Sequence, residues 1–327
     1  PPLFSRSRRH PRYRRGSGGL GDVYTRQLVL LGLCAAAAAA AAKVLVLVDP
    51  QNDTHQLVLE PLLQLNTADP DAATAVEIAA LDYRNQDQAR IDAADLLITI
   101  GVRAATQLQS APPGVAVLNV LIPRAAYRGL NVSTENSPAA IFLDQPIERQ
   151  FALARALLPA SSRAGMLLGH RSAADQAGLR QAAGQFMLDL EIVTVEADTN
   201  PAAAIRRVLK DSEFVVSTFD RETYTTATAK WLLYLALQKR RPIIGFSRAL
   251  LRAGAVAAVF STPQQIATHT AELISEWLQT GAAPSGTVYP RHYRVGLNPA
   301  VAARLGLDLP PEQDLQIQVQ QMLGEAP

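Results

Sequence analysis

The chain has 327 residues, 48% hydrophobic and 18% charged, which is too apolar for a disordered chain and enough to bury one large core or two medium ones. Its formal charge of +2 misleads, because residues 1–42 hold seven arginines and one acid, leaving 24 basic and 28 acidic side chains in residues 43–327. That body carries no overall electrostatic footprint for nucleic acid, and having no cysteine it is closed to disulfides and cysteine-ligated zinc.

Residues 1–22 are rich in Pro, Arg and Gly and predict a disordered lead-in, with the natural start expected near Val23. Residues 27–42 read QLVLLGLCAAAAAAAA, between Arg26 and Lys43. A basic residue, an apolar run and small residues ending in Ala40, Ala41 and Ala42 predict a secretory signal peptide cut after Ala42. The run is shorter than the roughly 20 residues that span a bilayer, and the alternative reading is an uncleaved anchor. Cys34 invites lipidation, but Leu33 stands before it where a small residue is wanted. The expected location is therefore periplasmic.

From Lys43 onward, apolar runs alternate with amphipathic segments. Strands are predicted at 43–49, 75–81, 95–101 and 114–122, with helices at 54–66, 88–93 and 103–109, the first of them shortened or kinked by Pro61. Runs apolar on both faces suit a parallel sheet covered on both sides, and the βαβ order predicts a doubly wound one. The pattern then begins again: 137–146 leads into a helix at 147–159, with strands at 162–169, 188–197, 213–220 and 241–247. Helices fall between them at 172–186, 200–211 and 226–239. Two α/β units of similar size predict two lobes with a seam near residues 130–146. The tail holds a strand at 254–260, a helix at 261–281 stopped by Gly281, an extended segment at 287–298 and short helices at 299–307 and 313–324. It is expected to cross between the lobes more than once.

Fingerprints of catalysis and of phosphate binding are missing. GVRAAT (101–106) opens a helix after a strand but lacks the second and third glycines of a dinucleotide turn. The body histidines, His55, His170, His269 and His292, lie in separate segments and read as surface or cap residues, His170 excepted. Open α/β sheets bind ligands beyond the carboxyl ends of their strands. That rule selects Asp49 and Gln51, then Gly101, Val102 and Arg103, then Arg124 with Tyr127. In the second unit it selects His170 and Arg171, then Phe219, Asp220 and Tyr224, then Ser247 and Arg248. Taken singly, each reads first as a solvated loop or a helix cap. Together they line one cleft if the two sheets face each other, and helix N-termini there favour an anionic group.

RPIIGFSRALLRAGAVAAVFSTPQQIATHTAELISEWLQTG (241–281) and LNPAVAARLGLDLP (297–310) resemble elements of ABC-transporter substrate-binding proteins, a group that includes relatives binding aromatic amino acids. LLITIGVRAATQL (96–108) and IERQFALARALLPASSRAGMLLG (147–169) match earlier elements of the same group. The resemblance implies a type I periplasmic binding fold, two Rossmann-like lobes with parallel sheets joined by three crossings. The boundaries expected are leader and signal peptide at 1–42, first lobe at 43–143 and 247–281, second lobe at 144–246 and 282–310, and a C-terminal helix or tail at 311–327. It also implies a non-catalytic receptor, without metal or cofactor, that closes on a small organic solute and delivers it, as a monomer, to an inner-membrane permease. NVLIPRAAYRGLNVSTEN (119–136) departs from the group's pattern at the cleft, so the relatives' ligand does not transfer. A sensor domain of the same fold and an α/β enzyme are the rival readings. The first lacks an output module after residue 250, and the second lacks a convergent acid, base or nucleophile.

Overall fold

The structure, a computed structural model, describes residues 41–66, 75–85, 87–108, 111–130, 138–195, 200–220 and 222–325. The lead-in, almost all of the expected signal peptide and Cys34 lie outside these residues. The chain opens with β1 (Ala42–Val48), α1 (Asp53–Leu63), β2 (Val76–Asp82), α2 (Gln88–Asp92), β3 (Leu96–Ile100), α3 (Gly101–Gln107), β4 (Ala116–Ile122), α4 (Arg124–Arg128) and β5 (Ala139–Phe142). The second unit follows as α5 (Ile147–Leu157), β6 (Arg163–Gly169), a 3-10 turn (His170–Asp175), α6 (Gln176–Gln185), β7 (Asp189–Val195), α7 (Ala202–Asp211), β8 (Phe214–Val216), α8 (Thr226–Gln238), β9 (Ile243–Gly245), α9 (Arg248–Ala253) and β10 (Ala257–Phe260). Then come α10 (Pro263–Thr280), β11 (Thr287–Val288), β12 (Arg294–Leu297), α11 (Pro299–Leu305) and α12 (Glu312–Leu323). Helix α1 continues two residues beyond Pro61 and stops at Leu63.

Two six-stranded sheets result, in the orders β11-β5-β4-β3-β1-β2 and β12-β10-β9-β8-β6-β7. Every pairing is parallel except that of β10 with β12. The side-chain period of two explains why the strands are apolar throughout. In β1, Val44, Val46 and Val48 enter the core under α1 and α10, and Leu45 and Leu47 enter the core under α2 and α3. The second sheet divides its apolar residues the same way. Met166, Leu168, Phe214 and Val216 face α5 and α12, while Leu167, Val193 and Val215 face α7, α8 and α9. This is the expected α/β, two-lobe, doubly wound architecture.

The lobe boundaries differ from those expected at three places. Helix α9 and strand β10, both placed in the first lobe by the sequence pattern, belong to the second: Leu250 is buried in its core, and β10 hydrogen-bonds to β9 and β12. Strand β11, placed in the second lobe, pairs with β5 in the first. The C-terminal helix α12 is part of the second lobe, with Leu315 and Val319 fully buried in its core. The apolar run at 254–260 carries no label of sheet, because a buried parallel strand reads alike in either one. The crossing is marked instead by Thr262, whose hydroxyl and Gln265 form a reciprocal cap at the start of α10.

One hydrogen-bonded network joins the three crossings. Gln145 donates to the Ser261 hydroxyl at 2.8 Å, and that hydroxyl donates to the His292 carbonyl. The buried Arg149 donates to Gln145 at 2.8 Å and to the Pro290 carbonyl at 2.7 Å. Its other face pairs with Glu325 at 2.7 Å and lies 3.9 Å from the centre of the Tyr293 ring. Helix α12 also protects the edge of the second sheet. Gln316 and Glu312 accept from the backbone amides of Val295 and Leu297 at 2.7 and 2.9 Å, so the outer side of β12 is not left open.

Candidate functional site

The expected residues all stand where the topology rule puts them, after the carboxyl ends of parallel strands. In the first lobe the chain leaves β1 through Asp49 and Gln51, and α1 starts on Asn52, whose side chain accepts from the amides of Thr54 and His55. Asp49 is buried and accepts from Gln51 N at 3.2 Å and from the Arg84 guanidinium at 2.8 Å. Desolvation pushes its carboxyl upward, but the Gln51 amide and Arg84 outweigh that and hold it below the usual carboxylate value. Asp49 is thus partnered within its own lobe. Arg84 follows β2, a strand end from which sequence reasoning selected nothing.

Gly101 opens α3 at φ +84, in the left-handed region. An added Cβ would stand 2.8 Å from Nε2 of His55. The imidazole therefore lies directly over the strand-to-helix turn. Burial lowers the affinity of this imidazole for a proton, and Asp49 opposes the effect. Its Nδ1 is buried without a hydrogen-bond partner. Val102 instead packs with Tyr127, Phe142 and Tyr289 in an apolar cluster, and Arg103 and Gln51 are exposed. Tyr127 and Tyr289 both meet Phe142 edge-on, at 5.7 and 5.6 Å.

The end of β4 is bent by a register shift between Val120 and Ile122, with Leu121 between them at φ 56. Val120 and Leu121 consequently pack to the same side while Ile122 turns to the other. The bend delivers Pro123 and Arg124 to the first turn of α4, where the Arg124 amide donates to Asp144 at 2.8 Å. Burial raises the Asp144 carboxyl above its ordinary value, against the pull of the Arg124 amide.

In the second lobe Asp220 is buried and saturated. It accepts from the amides of Gly169 at 2.7 Å, Glu222 at 3.0 Å and Thr223 at 3.2 Å. It ties the end of β6 to the loop after β8. Ser247 is the cap of α9, accepting from Leu250 N at 3.1 Å. Arg248 and His170 are exposed, and Arg171 lies in the 3-10 turn after β6. The lobe's distinctive feature is aromatic. Phe246 meets Phe219 edge-on at 5.4 Å and Tyr224 at 5.7 Å, and all three are half-buried. Burial drives the Tyr224 hydroxyl far above its ordinary pKa, with Asp220 adding to the effect. The hydroxyl oxygens of Thr218 and Thr223 beside them are buried without a partner.

The two sets of strand ends meet. Asp175, in the turn after β6, lies 3.3 Å from Arg128 and 4.0 Å from Arg124 on α4. Lobe one therefore faces lobe two through two cations and one shared carboxylate. No sequence signal marks Asp175, because a charged residue at a helix start is ordinarily solvated. Among the described residues no cluster of three or more His, Cys, Asp or Glu side chains is disposed to hold a metal. Among them, too, no helix is long and apolar enough to cross a membrane.

No protein-family model matches the chain, and no curated protein matches it. Solved structures do. The ligand-free, open structure of a substrate-binding protein with adhesive properties from Clostridium difficile is similar at a TM-score of 0.64 and 14% identity, over 84% of this chain and 97% of that one. An ABC domain in complex with L-Trp from Streptococcus pneumonia is similar at 0.52 and 18%, over 85% and 98%. A periplasmic ribose ABC transporter from Conexibacter woesei is similar at 0.50 and 15%, over 83% and 96%. At such identities the likeness is one of fold, and the fold is the two-lobed type I periplasmic binding fold.

Proposed function

We propose that the chain is an extracytoplasmic solute-binding protein of an ABC importer, which captures a small organic molecule between its lobes. The observation that carries this reading is the meeting of the strand ends, with Asp175 of one lobe against Arg124 and Arg128 of the other. A solute held there contacts both lobes only when they are together. It thus has a higher affinity for the closed arrangement and shifts the population toward it. In this reading the solute lies between His55 with the Gly101 helix start, which follow strand ends of the first lobe, and the rings of Phe219 and Phe246, which follow strand ends of the second. Apolar walls with a few convergent polar groups suit a small organic molecule. The structural neighbours named above are described as binding proteins or parts of ABC transporters, which supports transport over catalysis.

The test is thermal denaturation against a panel of amino acids, nucleosides, sugars and organic acids. A solute binding only the folded chain raises its stability by about 2.7 kcal/mol at a hundred times Kd. At least one member of the panel is expected to do so, with the effect lost in His55→Ala. Absence of stabilisation across the panel, or turnover of any member, overturns the receptor reading.

A further inference from the structure

The second lobe carries a basic outward face, on a body with 24 basic and 28 acidic side chains. Helices α7, α8 and α9 lie side by side over one face of the second sheet and bury their apolar residues in one shared core: Ile205 and Leu209 from α7, Leu232 and Leu233 from α8, Leu250 from α9. Their outward sides therefore look the same way. Those sides expose Arg206 and Lys210 on α7, Lys230 on α8 and Arg252 on α9. Arg207 is exposed there too, 3.3 Å from Glu191. The one acid within the three helices is Asp211, in the last position of α7. In the middle of this basic face stand Trp231 and Tyr234, 59% and 57% exposed. They are three residues apart on α8, with rings 6.2 Å apart and nearly perpendicular.

We infer that this face is a docking surface for an anionic lipid bilayer. Tryptophan and tyrosine join an apolar body to a polar tip and favour the headgroup layer, and lysines and arginines around them are attracted to anionic lipid. The basic side chains are spread over three neighbouring helices rather than along one, which suits an extended surface. The edge-on packing of the two rings turns one face of the pair inward, where single-stranded nucleic acid calls for open stacking platforms. The surface lies on the outside of a lobe and does not depend on the solute reading.

The chain contains two tryptophans, Trp231 and Trp277, so a Trp277→Phe background isolates the reporter. Residues 1–42 carry seven arginines, and retention of the whole chain on vesicles is therefore not the readout. The readout is Trp231 emission with vesicles of phosphatidylcholine alone or mixed equally with phosphatidylglycerol, at low and high salt. Expected are a blue shift and quenching by brominated acyl chains on the mixed vesicles at low salt only. Neutralising the face as R206Q/K210Q/R252Q is expected to move the titration midpoint by roughly a hundredfold, at about fivefold per cation. Circular dichroism of that variant checks that these exposed replacements leave the fold intact. Trp231 emission that is unchanged on vesicles retaining the protein overturns the inference. So does an equal shift on phosphatidylcholine alone, or a shift produced by an oligonucleotide and not by vesicles.

Discussion

The two lobes are built alike and finished differently. Each is a six-stranded sheet with helices on both faces, and at their strand ends Asp175 after β6 meets Arg124 and Arg128 after β4. In the first lobe those ends carry charge and a helix start: Asp49 with Arg84, His55 over Gly101, Arg124 with Asp144. In the second they carry rings around a carboxylate already saturated by three amides. Fold supplies the position of a site, and the last residues of each strand supply its chemistry. One half can thus be tuned for polar recognition and the other for contact area, without altering either core.

The largest expected effect tests whether Asp220 is scaffold. Asp220→Ala leaves three amides without their acceptor, one of them at the end of a central strand, and is expected to cost about 3 kcal/mol in chemical denaturation. Asp49→Ala leaves one amide and the half-exposed Arg84 without an acceptor and is expected to cost clearly less. A reversed order breaks the contrast between a saturated and an adjustable carboxylate. Next is Gly101→Ala, which meets both a φ of +84 and the His55 ring. A cost of about 2 kcal/mol is expected, and His55→Ala in the same chain is expected to recover the part due to the ring.

A pH effect is centred on one histidine of the first lobe. His269, on α10, is buried and its pKa is lowered from 6.5 to about 4, first by burial, then by the nearby Arg291 cation, with Glu272 opposing. The unfolded chain binds this proton more readily than the folded one. Stability is therefore lost as pH falls from about 6.5 toward about 4, and changes little above that window. The loss is expected to be on the order of 2 kcal/mol. His269→Gln keeps an acceptor for the Arg291 amide and is expected to flatten that part of the pH profile. A mutant profile parallel to that of the wild type refutes the assignment. The smallest effect is that of Asp175→Asn, whose partners are half-exposed. Its stability change is expected below about 1 kcal/mol, while the solute dissociates faster and with less dependence on salt.

The sheets were legible because strand, helix and turn each leave a local mark, and the two runs of βαβ appear in order. The lobe seams were not, because membership of a sheet is non-local. GAVAAVF would be buried equally well in either core, and only the reciprocal cap at Thr262 and Gln265 marks the crossing after it. At the candidate site, the topology rule selects strand ends but cannot say which side chains there are already engaged as caps. Ser247 and Asp220 were selected by position, and their oxygens turn out to serve backbone amides. The place of the His55 ring was not legible, since nothing in its neighbours says that a glycine 46 positions later leaves room for it. Arg84 and Asp175 act through partners distant in the chain. No periodicity announces them.

The lobes' relative motion is best measured by pulsed electron spin resonance between labels at Thr106 and Gln181, exposed positions on α3 and α6. The single native cysteine, Cys34, is replaced by serine for this purpose. With a stabilising solute, one narrow short distance is expected. Without it, or in Asp175→Asn, a longer or broader distribution should appear. An identical narrow distance under all three conditions would mean that the lobes form a rigid pair, and would contradict capture by closure.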